Sequence, residues 1–465
     1  MQVEQPYRPD VQILQLGDAF YDPVRAADFP QCAARFLNRR AAATVGLADL
    51  SDEAWARHFC RFDPLAGNLQ QPLALRYHGH QFRTYNPELG DGRGFLFAQL
   101  RDDRGRLLDL GTKGSGQTPW SRTADGRLTL KGAVREILAT EMLDALGVNT
   151  SKTFAVFETG EELVRGDEPS PTRSAVLTRL SHGHIRIGSF QRHAFENATG
   201  RLDQLVRYSL EHLYGEAPDD DPATNARRLF GLVCAATAKL AASYMAAGFV
   251  HGVLNSDNIN ITGESFDYGP WRFTPHWDAD FTAAYFDHYG LYAFGRQPEA
   301  IHWDVAQFAG CLSLLTPVAG LTETLGGWGE TFERSLIDAL IHRLGVAPSM
   351  PDADRDLAAA IVRALENKAA TIDRFFFDWR GGRDPGAGQY PEPPFRELAA
   401  HLEGRAVEQR HAYWSGPEPC SMHIDEVEAI WAAIAEADDW GPLEAKVAAM
   451  RRMGAAMGQD GPDAA

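Results

Sequence analysis

The sequence predicts an α+β fold, with a β-rich N-terminal part joined to a mostly helical C-terminal part. Three observations carry this. Residues 94–113 alternate in character on either side of an Asp102-Asp103-Arg104-Gly105 turn, the pattern of a hairpin. Leu130, Val134, Ile137, Leu138, Met142 and Leu146 then recur at helical spacing before Gly147, a residue suited to ending a helix. From about Phe190 onward the apolar periodicity is helical.

Taken in order, residues 1–60 read as an N-terminal extension with one helix, about Pro30 to Gly46. Residues 61–189 form a β-rich lobe. In its second hairpin strand Leu108, Leu110 and Thr112 share one face, and Asp109, Gly111 and Lys113 share the other. A Gly-rich loop, Gly114–Gly126, leads into the helix over Thr129–Leu146. Short strands are expected at Thr153–Phe157 and Ser174–Leu180. Residues 190–465 form the helical lobe, with helices near Leu202–Leu213, Leu229–Gly248, Trp303–Leu315, Thr331–Leu344 and Arg355–Arg374. The apolar run Leu229–Val250 contains Lys239 and many small residues, which reads as a buried helix and not a membrane span. Arg380–Pro394 is a Gly/Pro-rich break, one last helix covers about Ile424–Met453, and GQDGPDAA is a frayed tail.

Composition excludes several classes. Of 465 residues 44% are apolar and 23% charged, ordinary globular usage, so a disordered or disulfide-stapled chain is ruled out. The net charge of −18 disfavours a nucleic-acid or anionic-lipid binder, although it leaves room for one local basic pocket. The five widely spaced cysteines, with no CxxC, read as free buried thiols in a reducing compartment. No secretory signal is visible at the N-terminus, so the expected location is cytoplasmic.

The chemistry concentrates in His251-Gly-Val-Leu-Asn-Ser-Asp257-Asn258 and the following Ser265-Phe-Asp267-Tyr-Gly269. A helix delivering a loop with an Asn, then an Asp before an aromatic-Gly turn, is what kinase-type nucleotide chemistry requires. Asn258 and Asp267 offer hard oxygens, which suit Mg²⁺ and not zinc. Upstream, Lys113 on a strand and Glu136 on the next helix supply the other half of that plan: a lysine for phosphate oxygens and a glutamate to orient it. Taken singly, Lys113 also fits a solvated strand residue, Glu136 the polar face of its helix, and Asp267-Tyr-Gly an ordinary turn. His251 reads as a core histidine that props the loop.

One feature departs from an ordinary kinase. A small-molecule kinase loop carries its base two residues after the His, and here that residue is Val253, which accepts no proton. Asp257 is the only carboxylate in the loop. Gly90-Asp-Gly-Arg-Gly94 sets Arg93 among glycines, and Arg179 and Arg186 follow, a set suited to clamping a polyphosphate. His78-Gly-His80 and His182-Gly-His184 lack the partners of a zinc site, no P-loop or nucleophile-elbow motif occurs, and Phe375–Phe377 reads as core.

These residues bring the chain to a family. YHGHQF (77–82), LGDGRG (89–94), LGTKGSGQTPWSRTADGRLTLKGAVREIL (110–138), AVLTRL with IRIGSF, HGVLNSDNINITGESFDYGP (251–270) and GLYAFGRQPEAIHWDVAQFA (290–309) resemble the selenoprotein O family of pseudokinases. The likeness runs from about residue 12 to 318. It implies a kinase-like bilobal fold that binds ATP in a flipped pose and transfers AMP to Ser, Thr or Tyr hydroxyls of proteins, with pyrophosphate leaving. It further implies that Lys113 contacts the phosphates, Glu136 supports Lys113, and Arg179 and Arg186 hold phosphate. Gly90, Gly92, Arg93, Asp125 and Gly126 would line the nucleotide, Asn258 and Asp267 would bind Mg²⁺ or Mn²⁺, and Asp257 would be the proton acceptor. Self-modification at the hydroxyls of the Gly-rich loop is a further expectation. γ-Phosphoryl transfer and a non-catalytic nucleotide-binding scaffold are the other readings, the first disfavoured by Val253 and the second by the intact Lys113, Asp257, Asn258 and Asp267.

Overall fold

The alternating segments of the N-terminal part pair into one antiparallel sheet. In chain order the strands are β1 (Tyr21–Pro23), β2 (Ala33–Leu37), β3 (Leu73–Leu75), β4 (Gly79–Gln81), β5 (Thr84–Asn86), β6 (Leu96–Arg101), β7 (Leu107–Lys113), β8 (Leu128–Thr129), β9 (Lys152–Leu163) and β10 (Thr172–Ser181). The computed structural model describes residues 6–166, 168–386 and 388–458. The sheet runs β1-β3-β6-β7-β10-β9-β2, with β8 added on β10, while β4 and β5 form a separate hairpin. The expected hairpin is β6–β7, with Leu100 opposite Leu108.

Strand alternation sorts side chains into two cores. Leu108, Leu110 and Val176 pack with Phe97, Phe154, Trp55 and Phe59 on one side of the sheet. Val156 and Leu177 face the other side, with Val134, Ile137 and Leu138 of α3 (Leu130–Ala145). Full burial of each such side chain stabilises by about 1.5–3 kcal/mol. Thr129 caps α3, its Oγ1 accepting the Gly132 N–H at 3.1 Å.

Two short helices precede α3, α1 (Arg39–Ala43) and α2 (Asp52–Phe59). The helix expected over Pro30–Gly46 is therefore half strand: Ala33–Leu37 pairs with β9, and the helix begins only after Asn38. Cross-strand pairing outweighs the helical propensity of the alanines. The reading of five free thiols is also corrected, because Cys32 and Cys60 form a disulfide, Cα atoms 6.1 Å apart. Their separation of 28 residues concealed that the start of β2 and the end of α2 meet. Cys234, Cys311 and Cys420 are free and buried.

After β10 come α4 (Ile187–Phe195), α5 (Thr199–Tyr208) and α6 (Pro222–Ala247), then the strands β11 (Phe249–Val250) and β12 (Arg272–Phe273) around the candidate loop. α6 is long and apolar enough to cross a membrane, yet 67% of that window is buried within the protein, and Leu229, Phe230 and Val233 lie in the core. Gly248 ends it in the left-handed conformation. Around it are α7 (Gln297–Leu312), α8 (Val318–Gly326), α9 (Trp328–Leu344), α10 (Pro351–Glu366), α11 (Ile372–Asp378) and α12 (Pro393–Leu402).

The expected last helix is two, α13 (Ile424–Ala437) and α14 (Gly441–Ala456). Asp438 turns left-handed at φ 50, and Pro442 starts the new helix. This corner returns to the back of the N-terminal lobe. Arg451 grips Glu141 of α3 (Nε–Oε2 2.7 Å), Lys131 pairs with Glu428 (2.7 Å), and Arg173 of β10 pairs with Asp438 (2.7 Å). Residues 459–465 of the expected tail lie outside the described residues.

Candidate active site

β7 delivers Lys113 to the rim of a cavity of about 370 Å³ between the sheet and the loop after β11. Its ammonium donates to Glu136 of α3 and to Asp267 at 2.7 Å. All of β7 is buried, so Lys113 is not a solvated strand residue. Glu136 lies off the apolar stripe, as the periodicity predicts, but it is buried against Lys113 and not in water.

Asp267 occupies the left-handed region at φ 61, which turns its carboxylate toward the cations. Burial alone would raise its pKa. The charges of Lys113, Arg179 and Arg93 outweigh burial and hold it well below the usual carboxylate range. Arg179, on β10 opposite Gly111, approaches Asp267 at 3.4 Å. Arg186 lies with its guanidinium over the rings of Tyr77 (4.1 Å) and Phe266 (5.0 Å). Its Nη1 donates to the Asp257 carbonyl at 3.2 Å, and Nη2 lies 3.5 Å from Asp91. Nε of both arginines is buried without a partner. An unmade hydrogen bond of this kind costs about 1–3 kcal/mol, so the pair is poised for an anionic ligand.

Gly90, Gly92, Arg93 and Gly94 also line the cavity, beside the end of β7, where the Arg93 carbonyl accepts the Gly114 N–H. Their glycines are required by contact: a Cβ on Gly90 would lie 2.4 Å from the Trp120 ring, and one on Gly94 only 2.0 Å from the Thr112 carbonyl. Asp125 and Gly126 stand outside the lining. Asp125 pairs with Arg165 (2.8 Å), and the Gly126 carbonyl accepts the Gly116 N–H (3.1 Å), so both brace the loop whose Trp120, Ser121, Arg122 and Ala124 face the cavity.

The loop after β11 also lines the cavity, through Asp257, Phe266 and Asp267. Ser256–Asn258 form a single 3₁₀ turn. Asn258 Nδ2 donates to the Val253 carbonyl (3.0 Å), which leaves its Oδ1 as an acceptor, and Asn258 does not line the cavity itself. Asp257 does line it. Burial, reinforced by Asp267 and opposed by Arg186, pushes its pKa up to about 6. Asp91 and Asp267 are ion-paired, whereas Asp257 Oδ1 is buried without a partner. His251 takes the propping place expected of it, its Nε2 3.0 Å from the Phe266 carbonyl.

A family model described as "Protein adenylyltransferase SelO" matches residues 3–416. The chain belongs to the SelO family of protein adenylyltransferases. Relatives called "Protein nucleotidyltransferase YdiU" agree with this. That of Synechocystis sp. is 39% identical over 463 residues, covering 94% of this chain and 96% of the relative. Those of Synechococcus elongatus (40%, covering 95% and 94%) and Gloeobacter violaceus (41%, covering 94% and 93%) are similar. SelO membership makes the chain a nucleotidyltransferase with ATP as its nucleotide and protein as its acceptor, carried on the α+β kinase-like fold.

Two cavity residues of this SelO member lie within motifs quoted above but received no role there. Asp91 accepts the Leu75 N–H at 3.0 Å as well as facing Arg186. His184 is tied through Nδ1 to buried Asp109 (3.2 Å), and its ring fills the space where Gly111 lacks a side chain. The one signal was Gly111, which shares the Lys113 face of β7. The HGH pairs do not converge on a metal: among the described residues no group of three or more His, Cys, Asp or Glu is placed to hold one. His78 meets Tyr85 OH at 2.8 Å and His80 meets Gln191 at 2.7 Å instead.

Proposed function

We propose that ATP lies in this cavity flipped, its β- and γ-phosphates against Lys113, Arg179 and Arg186 and its α-phosphate toward Asp257. The observation that carries this is the pair of buried guanidinium groups with unspent Nε donors, in one cavity with Lys113 and the unpaired carboxylate oxygen of Asp257. Charge that gathers on a departing pyrophosphate is stabilised by such fixed, desolvated donors. Asp257 accepts the proton of a Ser, Thr or Tyr hydroxyl. The hydroxyl oxygen forms the new bond to the α-phosphorus, the bond from that phosphorus to the bridging oxygen breaks, and pyrophosphate leaves. Asn258 Oδ1 and the Asp267 carboxylate are the hard-oxygen donors that would hold Mg²⁺ or Mn²⁺, and such an ion would supply charge neutralisation to the phosphates. Asp267 is already anionic, so no proton has to be displaced for it to serve. Glu136 keeps Lys113 aimed at the phosphates.

The deciding experiment offers the enzyme ATP labelled on the α- or the γ-phosphate. Label retained on protein from the α position alone is expected. Label from the γ position alone would restore a kinase, and ATP binding with neither label transferred would leave a scaffold.

A further inference from the structure

The hairpin β4–β5 ends in a strained tip. Phe82 and Arg83 join the strands, both in the left-handed region (φ 48 and 61). Such turns favour Asn and Gly, and other residues there cost about 1–2 kcal/mol each. A conformation like this persists only where the surroundings hold it, and it points toward a use. Here the catalytic loop holds it. His80 N donates to Ser256 Oγ (2.7 Å), and Phe82 N donates to Asn255 Oδ1 (3.0 Å). Gly79 lies so close to Asp257 that a Cβ would sit 2.9 Å from its carboxylate. The hairpin backbone thus walls the proton acceptor, and its tip points outward.

At the tip the surface is aromatic. Phe82, 38% exposed, meets Phe286 (centroids 5.9 Å), which is 41% exposed. Phe286 meets Tyr285 (5.1 Å), which is 79% exposed. Of the other exposed large apolar side chains, Tyr289 lies on the same loop and Phe195 stacks on Tyr85 of β5 (5.4 Å), while the rest are spread over the described chain. The cations of this rim are spent internally. Arg83 and Arg296 both turn onto Glu299 (2.8 and 3.3 Å), and Arg83 lies over Trp303. What faces outward at the hairpin tip is ring carbon, and the two cations beside it, Arg83 and Arg296, are already paired with Glu299.

We infer that Phe82, Phe286 and Tyr285 form the docking platform for the acceptor protein, and that its occupant is a segment with an aliphatic or aromatic side chain a few residues from the target hydroxyl. The inference rests on the adenylyl-transfer reading: the hydroxyl must reach Asp257, and the platform begins on the hairpin that walls Asp257. Rings held this way give an apolar side chain a large contact at little entropic cost.

The test uses the full-length enzyme, α-labelled ATP and arrayed synthetic peptides that each carry one Ser, Thr or Tyr with varied neighbours. Wild-type enzyme is expected to label apolar-flanked peptides best. Phe82→Asn removes the ring while relaxing the turn, and Phe286→Ser removes an exposed ring. Each is expected to lower kcat/KM for those peptides by about tenfold, the loss of one partly buried ring. The ATP Kd and the melting temperature should hold. Wild-type labelling indifferent to apolar neighbours, or variants that keep the preference, would overturn the platform. Wild-type enzyme that binds ATP but labels no peptide would count against adenylyl transfer itself, and the platform would fall with it.

Discussion

Arg186 is held by stacking as much as by charge, between Tyr77 and Phe266, with Nε unspent. A lysine at this position would keep the charge and lose the fork and the flat face. Arg186→Lys is therefore expected to weaken ATP binding roughly 10- to 100-fold, the worth of one or two charge-assisted hydrogen bonds. Titration calorimetry showing wild-type affinity would mean that the fork is not used. Asp257→Asn preserves shape and removes the proton acceptor, so kcat should fall by about 10²–10⁴ while the ATP Kd stays within a small factor. Single-turnover transfer measured beside equilibrium binding separates the two effects. At this scale the sequence was informative where chemistry requires a residue type in a fixed order. Lys113, Glu136, Asp257 and Asp267 come together as their order foretold, and Val253 advertised its own inability to act as a base. The roles of Asp91 and His184, though both stand in quoted motifs, were not legible, because they depend on the partners Leu75 and Asp109, which only the folded sheet brings near.

Elements were legible where one periodicity dominates. The β6–β7 hairpin and α3 lie close to their expected bounds, since alternation and helical spacing there have no competitor. β2 was missed because an alanine-rich stretch takes its structure from pairing with β9, a contact more than a hundred residues away. The disulfide was missed for the same reason. Its closure of a 28-residue separation should add roughly 3–4 kcal/mol in the chain-entropy view, so Cys60→Ser or reduction should lower the urea midpoint by a matching amount. The loop between β11 and β12 carries a second testable group. Glu264 is buried and accepts the His182 N–H at 2.9 Å. Burial raises its pKa from 4.5 to about 7. The folded state therefore holds this proton more tightly than the unfolded chain. The contribution is complete below about pH 4.5 and is lost as pH rises through 7, by at most about 3 kcal/mol. Glu264→Gln should flatten the decline in stability across that window, measured as urea midpoints against pH. Parallel curves for the two proteins would reject the assignment.

Across the whole molecule, a net charge of −18 surrounds the cavity proposed to hold the ATP phosphates. Long-range repulsion should slow ATP encounter at low salt, and the Debye length falls from about 30 Å at 0.01 M to about 8 Å at 0.15 M. Stopped-flow association of a fluorescent ATP analogue should accelerate by a small factor over that range. A steep slowing would show that the local cations already dominate at a distance. The corner of α13 and α14 returns to the N-terminal sheet, where it grips α3 through Glu141 and β10 through Asp438. The helix that carries Glu136 is thus latched from behind. A kinase-like helix that is free to swing can be parked away from its lysine as an off position, and these contacts tie this helix from behind against such a swing. Removing residues 419–458 should loosen the Lys113–Glu136 pair and cost more in transfer than in ATP binding. Transfer and ATP binding that fall together, or not at all, would show that the helix keeps its place without the latch.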